Sequence, residues 1–202
     1  MFRSDAFQDQ FVHKILNGKH NGYFVDIGSC GAVNSNNTYF FESLGWKGIC
    51  IEIEKGYADS YHSRSCTFVN QNALTINYQD LFEQNSSPKW IDYLSVDIDE
   101  LSIDALRLLP HDKYQFGVIT IEHDGYIYGD KYRNQQREFL NGLGYHLLAS
   151  NVRVPDRHFK SLSTLNHLDN NGFEDWWVNP SLNPNNQYYF DKMFPEYIIA
   201  RV

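Results

Sequence analysis

The segment 22–31 constrains the fold of this chain more than any other part of the sequence. Its residues 23–27 form a short apolar run rich in β-prone side chains, which predicts a buried strand. Gly28 and Gly31 follow that strand. Glycine permits a positive φ, and a ligand can approach its backbone closely because it has no Cβ. A buried strand running through Asp26 into such a turn is typical of a ligand site at the edge of an α/β sheet.

A second apolar run, 48–53, carries Glu52 close to its end. Ligands of open α/β sheets bind outside the carboxyl ends of the strands, so we expect Glu52 to face a ribose diol beside Gly28 and Gly31. The sequence lacks the Gly-x-Gly-x-x-Gly fingerprint that holds a dinucleotide pyrophosphate. Asp26 would repel a pyrophosphate but suits an amine-bearing ligand. These features favour S-adenosylmethionine (SAM), which carries a sulfonium, an ammonium and a ribose, over NAD.

Predicted strands and helices alternate along the first three quarters of the chain. This alternation predicts a Rossmann-like, doubly wound α/β fold with a mostly parallel seven-stranded sheet and helices on both faces. We expect 175–178 to be an antiparallel edge strand and 190–202 to be a C-terminal helix or an extended packing segment. The other predicted strands are 23–27, 48–53, 66–69, 91–96, 116–121 and 145–149, and the predicted helices are 6–17, 36–44, 56–62, 78–84, 103–109 and 131–141.

The length of 202 residues predicts one domain, 1–202, with an N-terminal helix in 1–20 and substrate-side loops and a C-terminal segment in 151–202. The net charge of -8 argues against nucleic-acid binding through a broad basic surface. No apolar run reaches the length of about 18 residues that a membrane span needs. Three cysteines without paired spacing and a polar N-terminus lead us to expect a cytoplasmic protein.

Four predicted strands end in or run into an acid, namely Asp26, Glu52, Asp97 and Glu122. Parallel strands bring their carboxyl ends to one edge, where like charges repel unless a cation or proton intervenes. Asp97 and Glu122 are candidates to orient or deprotonate a substrate hydroxyl, or to bind a divalent cation. An acid at a strand end is also a common helix cap or turn former, an interpretation that explains one of the four more easily than all of them.

His123 follows Glu122 directly and is a candidate general base, because the unperturbed imidazole pKa lies near neutrality. A lone histidine is more often a hydrogen-bonded structural residue, and that alternative stays open. Asp99 and Glu100 are interpreted as first-turn acids that complement a helix dipole.

Several of these segments together resemble the FkbM-type family of SAM-dependent methyltransferases, over about residues 7–150 and more loosely at Trp176-Trp177. The similarity implies a class I methyltransferase whose second-strand glutamate holds the ribose and whose third-strand end lies by the adenine. The implied cofactor-binding residues are Asp26, Gly28, Ser29, Gly31, Asn37, Glu52, Asn72, Ala73 and Asp97, and the implied catalytic residues are Asp97, Glu122 and His123. The segments that carry the resemblance are Gln8-Asp-Gln-Phe-Val12, Asn21-Gly-Tyr-Phe-Val-Asp-Ile-Gly28, Ser35-Asn-Asn-Thr-Tyr-Phe-Phe-Glu42, Leu44-Gly-Trp-Lys-Gly-Ile-Cys-Ile-Glu52, Arg64-Ser-Cys66, Asn70-Gln-Asn-Ala73, Ile91-Asp-Tyr-Leu-Ser-Val-Asp97 and Val118-Ile-Thr-Ile-Glu-His123.

Two positions depart from the family pattern. Ala32 stands where the family has the second glycine of its first turn, and Glu100 stands where it has a glycine after the fourth strand. Some related methyltransferases bind magnesium, which here would fall to Asp97, Glu122 and either His123 or Asp124.

The sequence therefore predicts a SAM-dependent methyltransferase that acts on a hydroxyl of a sugar, glycan or natural-product acceptor. The acceptor would be bound by loops 126–135 and 151–175 or by a partner subunit, which makes a homo-oligomer possible. One alternative is a non-catalytic scaffold or binding protein with the same fold. Another is a nicotinamide-dependent oxidoreductase, which the missing fingerprint and Asp26 oppose.

Overall fold

A computed structural model describes residues 1–152 and 172–182 of the chain. They form one seven-stranded sheet in the order β3-β2-β1-β4-β5-β7-β6. The first five strands pair in parallel, and β7 is antiparallel to both β5 and β6. The predicted Rossmann-like fold with a mostly parallel seven-stranded sheet is therefore confirmed. The strands are β1 (Tyr23–Ile27), β2 (Lys47–Glu52), β3 (Thr67–Asn70), β4 (Trp90–Val96), β5 (Gln115–Glu122), β6 (His146–Val152) and β7 (Glu174–Val178).

The helices lie between the strands, as the alternating pattern predicts. Three further segments, Lys55–Ser63, Ala73–Thr75 and Asp99–Leu101, are 3₁₀ helices. None of the helices among the described residues is both long and apolar enough to cross a lipid bilayer. The α-helices are α1 (Gln8–Ile15), α2 (Tyr39–Glu42), α3 (Tyr78–Gln84), α4 (Ser102–Leu108), α5 (Gly125–Tyr128) and α6 (Asp130–Gly142).

Two apolar clusters cover the two faces of the sheet, because successive side chains of a strand point to opposite faces. The neighbours Trp176 and Trp177 show this alternation, since each belongs to a different cluster. Phe11 of α1 stacks on Trp176 with ring centroids 4.4 Å apart. The packing fixes α1 on one face and leaves the carboxyl ends of β1, β2, β4 and β5 together at one edge of the sheet.

The position of β7 differs from the sequence expectation. The segment 175–178 is antiparallel as predicted, but it lies between β5 and β6 rather than at an edge. All five residues of β7 are buried. An interior strand packs apolar side chains on both faces of the sheet and pairs with a strand on each side, and β7 does both. The edge strand on this side of the sheet is therefore β6.

The helix expected over 36–44 is shorter in the structure, where α2 begins at Tyr39. The Asn36 side chain accepts hydrogen bonds from the backbone N–H groups of Thr38 and Tyr39, at 3.0 and 2.8 Å. This local capping starts the helix late and leaves 29–38 as a loop. The expectations for 190–202 and for most of the 151–175 loop fall outside the described residues.

Candidate functional site

The turn after β1 lies against the backbone of β4. Gly28 has a φ of 80°, and a Cβ built on it would lie 1.9 Å from the Asp97 carbonyl oxygen. The Asp97 N–H donates to the Ile27 carbonyl at 2.8 Å, which holds the two strand ends together. Any other residue at position 28 would therefore have both an unfavourable φ and a steric clash with Asp97. The expected positive φ is confirmed at Gly28.

Gly31 does not use the positive φ that glycine permits, because the second positive φ of the loop falls on Cys30, at 46°. A Cβ on Gly31 would meet its nearest neighbour, the Asn34 carbonyl oxygen, at 3.7 Å, which is ordinary contact. Ala32 is buried, and its carbonyl accepts a 2.6 Å hydrogen bond from Arg64. The alanine at the family's glycine position is therefore accommodated without a left-handed backbone.

Three polar side chains, those of Asn36, Tyr61 and Arg64, stabilise residues 28–38, which we call the glycine loop. The amide of Asn36 donates to the Ser29 carbonyl at 2.9 Å and to the Gly31 carbonyl at 3.1 Å. The Tyr61 hydroxyl donates to Ser29 Oγ at 2.8 Å. Arg64 forms an ion pair with Glu42 at 2.7 Å, and its own side chain is fully buried. No local spacing in the sequence predicts this support, because these partners are up to 32 residues apart.

Glu52 ends β2 beside this loop, as the sequence predicts. Its Oε2 accepts from the Cys30 N–H and its Oε1 accepts from the Glu54 N–H, each at 2.8 Å. The residue is 5% exposed. The two backbone donors fix the carboxylate, and each oxygen keeps a second lone pair that can accept from a ligand hydroxyl.

The side chains of Asp26 and Asn37 connect this loop to the neighbouring strands β1 and β4. Asp26 is 1% exposed and accepts from the Thr38 hydroxyl at 2.8 Å, and burial raises its pKa to about 6. The Asn37 amide donates to Ser95 Oγ at 3.0 Å. Both side chains brace the loop against β1 and β4. The meeting of Asp26 with a ligand ammonium or a bridging water stays a prediction.

Asn72 and Ala73 lie past the end of β3, at the same edge. Asn72 is exposed, and its side-chain oxygen accepts from the Leu74 N–H at 2.9 Å. Ala73 is buried, and its carbonyl accepts from the Tyr78 hydroxyl at 3.0 Å. Asn72, two residues after Asn70, caps the 3₁₀ helix that begins at Ala73, and Asn70 is the register partner of Glu52.

Asp97 and Glu122 follow register partners in β4 and β5 and stand side by side. Burial, and then the charge of Asp97, raise the pKa of Glu122 to about 11. Burial also raises the pKa of Asp97. Like charges this close do not both ionise, so the two carboxyls share a proton near neutral pH. The structure brings these predicted catalytic carboxyls together.

The side chain of His123 is fully buried, which favours the alternative of a structural histidine. Its Nδ1 accepts from the Gly125 N–H at 3.0 Å, and its Nε2 lies 3.5 Å from Asp175 Oδ1. Burial alone would raise the pKa of Asp175, but hydrogen bonds from His123 and Arg137 hold it at about 2. The imidazole therefore lies between the end of β5 and β7, and its role as a general base stays a prediction.

A group of three carboxylates lies beside the Asp97–Glu122 pair. Oxygen atoms of Asp99, Glu122 and Asp124 all lie within 4.8 Å of one another. Asp99, rather than the predicted Asp97 or His123, completes this group. Asp99 also adopts the positive φ, 52°, in the turn where the family has a glycine one residue later. Glu100 is then free to accept from the Tyr128 hydroxyl at 2.8 Å.

No protein-family model matches the chain, and neither does any curated protein sequence. Solved structures do match. An assigned O-methyltransferase of Klebsiella pneumoniae aligns at a TM-score of 0.54 with 14% identity, over 85% of this chain and 80% of that chain. An assigned RNA methyltransferase of Pyrococcus horikoshii aligns at 0.51 with 13% identity, over 86% and 83%. An assigned hemolysin of Streptococcus thermophilus aligns at 0.51 with 11% identity, over 86% and 65%.

These similarities show a shared fold, the Rossmann-like α/β fold. At such low identity they do not carry an activity or an acceptor to this chain. The FkbM-type resemblance has no matching family model behind it and stays an expectation.

Proposed function

We propose that this chain is a SAM-dependent methyltransferase, related to the FkbM type, that methylates a hydroxyl of a sugar, glycan or natural-product acceptor. The observation that carries the proposal is the Gly28 turn, which lies between Glu52 at the end of β2 and Asp97 at the end of β4. This position is the switch point of the sheet, where open α/β folds bind their ligands.

The glycine-loop side of the edge supplies groups that suit SAM. The Glu52 carboxylate would accept from the ribose hydroxyls, and the backbone of 28–31 would border the amino-acid moiety. Asn72 and Ala73 would border the adenine. SAM supplies a methyl group on a sulfonium, which is already an electrophile, so the protein's task is to align the acceptor oxygen with it.

The other side of the edge supplies groups that suit an acceptor hydroxyl. As the oxygen–methyl bond forms, the hydroxyl must lose its proton to a base. Asp97 and Glu122 hold one proton between them, which leaves a basic carboxylate oxygen at the site. The acidic rim also disfavours a nucleic-acid acceptor. A divalent cation would be a separate ligand of this edge, and the displacement itself does not require one.

The first experiment is isothermal titration of S-adenosylhomocysteine into the purified chain. We expect micromolar binding to the wild type and at least a tenfold loss in Glu52→Gln. The matched control is Glu83→Gln, an exposed glutamate on α3 that should bind like the wild type. If the wild type gives no binding, the SAM proposal fails, and NAD in the same assay tests the oxidoreductase alternative.

One observation favours the second candidate, a non-catalytic scaffold with this fold. Both Glu52 oxygens already accept from backbone N–H groups of the protein, so the carboxylate is satisfied without a ligand. A scaffold would show a normal melting temperature that S-adenosylhomocysteine does not raise. A binding protein without catalysis would show the rise but no methyl transfer from radiolabelled SAM to any tested glycan or polyol.

A further inference from the structure

Three carboxylates converge on one point from two neighbouring strand ends. Asp99 begins the 3₁₀ helix after β4, Glu122 is the last residue of β5, and Asp124 precedes α5. Their burial differs, since Asp99 is exposed, Glu122 is half-buried and Asp124 is 1% exposed. The group is therefore anchored inside the protein on one side and open to solvent on the other.

The spacing of the oxygens fits a single hard cation. Each residue offers a carboxylate oxygen within 4.8 Å of the other two. Oxygen ligands lie about 2.0 to 2.1 Å from Mg²⁺ and about 2.3 to 2.6 Å from Ca²⁺, so two ligands of one ion are at most about 5 Å apart. Three such oxygens leave coordination positions for water or for a substrate oxygen on the exposed side.

An independent observation comes from Asp124. Its Oδ1 is buried and has no hydrogen-bond partner. Buried polar atoms in folded proteins nearly always have a partner, and a bound water or ion is one of the explanations for an exception, beside strain and a catalytic role. Asp124 lies in the carboxylate group itself, so a cation bound there would supply the partner that the chain does not.

The charges around these three carboxylates also favour a bound cation. None of the ion pairs formed among the described residues includes Asp99, Glu122 or Asp124. Neighbouring Asp97 adds a fourth carboxyl. Carboxylates at this spacing repel one another unless a proton or a cation lies between them, and a divalent cation is the compact charge that oxygen-only ligand sets accept.

We propose that Asp99, Glu122 and Asp124 form a binding site for a divalent cation of the Mg²⁺ or Ca²⁺ type. The site does not depend on the proposed methyl transfer and would exist in a scaffold protein as well. Its open side faces the place proposed for the acceptor.

Titration of MgCl₂, CaCl₂ and MnCl₂ into the full chain, stripped with EDTA and free of SAM, tests this directly. We expect saturable binding of one ion per chain, weakened at least tenfold in Asp124→Asn and in Asp99→Asn. Asp99→Asn is the safer variant, because the residue is exposed and asparagine tolerates its positive φ. The control is Asp112→Asn, an exposed aspartate before β5 at the opposite end of the sheet.

Two results would overturn the proposal. One is the absence of saturable binding for all three ions up to about 10 mM, tenfold above the roughly 1 mM dissociation constant of the weakest protein Ca²⁺ sites. The other is binding that Asp99→Asn leaves unchanged. If methylamine binds in a manner that Asp99→Asn abolishes while the metal ions do not bind, the group recognises an organic ammonium instead.

Discussion

The two halves of the candidate site differ in whether their charged side chains have partners inside the protein. In the glycine-loop half, made of residues 28–38 with Glu52 and Arg64, each charged side chain has partners inside the protein. In the carboxylate half, made of Asp97, Asp99, Glu122 and Asp124, acids face other acids. The first half is organised by the chain itself. The second half holds electrostatic repulsion that a bound cation, proton or substrate would relieve.

The largest expected effect comes from adding a methyl group to the glycine-loop half. Gly28→Ala forces a Cβ to within 1.9 Å of the Asp97 carbonyl oxygen and a left-handed φ on alanine. We expect it to lower the free energy of unfolding by more than about 4 kcal/mol, or to prevent folding. Urea denaturation followed by circular dichroism measures the change.

The matched control for this prediction is Gly31→Ala, in the same loop. Its Cβ would meet only ordinary contacts, and its φ is not positive. We expect a free energy of unfolding within about 0.5 kcal/mol of the wild type. Equal losses for the two variants would show that the loop does not lie against β4 as described.

A smaller loss is expected when the charge pairing of the glycine-loop half is broken. Arg64→Met keeps much of the side-chain volume but leaves Glu42 without its partner and the Ala32 carbonyl without its donor. Removing one member of a buried ion pair costs about 3 to 5 kcal/mol, and we expect the lower end because Glu42 is partly solvated. Denaturant unfolding gives the value, and Arg107→Met, at an exposed arginine of α4, should change it little.

Asp26 makes the stability of the same half depend on pH. Burial raises its pKa from 3.8 to about 6, so the folded state holds a proton that the unfolded state has released in this interval. The contribution of Asp26 is fully present below pH 3.8 and is lost as the pH rises to about 6. We expect the wild type to lose about 3 kcal/mol relative to Asp26→Asn across this window. A constant difference between the two proteins would contradict the burial of an ionisable Asp26.

Local patterns in the sequence identify the strands and place Gly28, Glu52, Asp97 and Glu122 at one edge, because parallel strands share their carboxyl edge. The features that these patterns do not predict depend on contacts between residues far apart in the sequence. Arg64 is part of the site through contacts with residues 22 to 32 positions away. The same limit explains β7, whose interior position is decided by pairing with β5 and β6 rather than by its own residues.

His123 and Asp99 show a second limit. The sequence places His123 next to a catalytic candidate, but alternation along the strand end turns its ring into the protein toward Asp175. Asp99 looks like an ordinary first-turn acid, and only its left-handed backbone and the position of β5 bring its carboxylate to Glu122 and Asp124. Side-chain direction at a turn is not encoded in spacing along the chain.

The smallest expected effect is a rise, not a fall, in the free energy of unfolding, and it distinguishes the two halves of the site most clearly. Asp124→Asn removes a buried charge from the carboxylate half, so in the presence of EDTA we expect the free energy of unfolding to rise by about 1 kcal/mol. Glu42→Gln, the matching change in the glycine-loop half, should lower it because Arg64 loses its ionic partner. Denaturant melts of both variants at neutral pH supply the two signs. A loss of stability in Asp124→Asn without metal would mean that this carboxylate is already satisfied by the protein, and the contrast between the halves would then disappear.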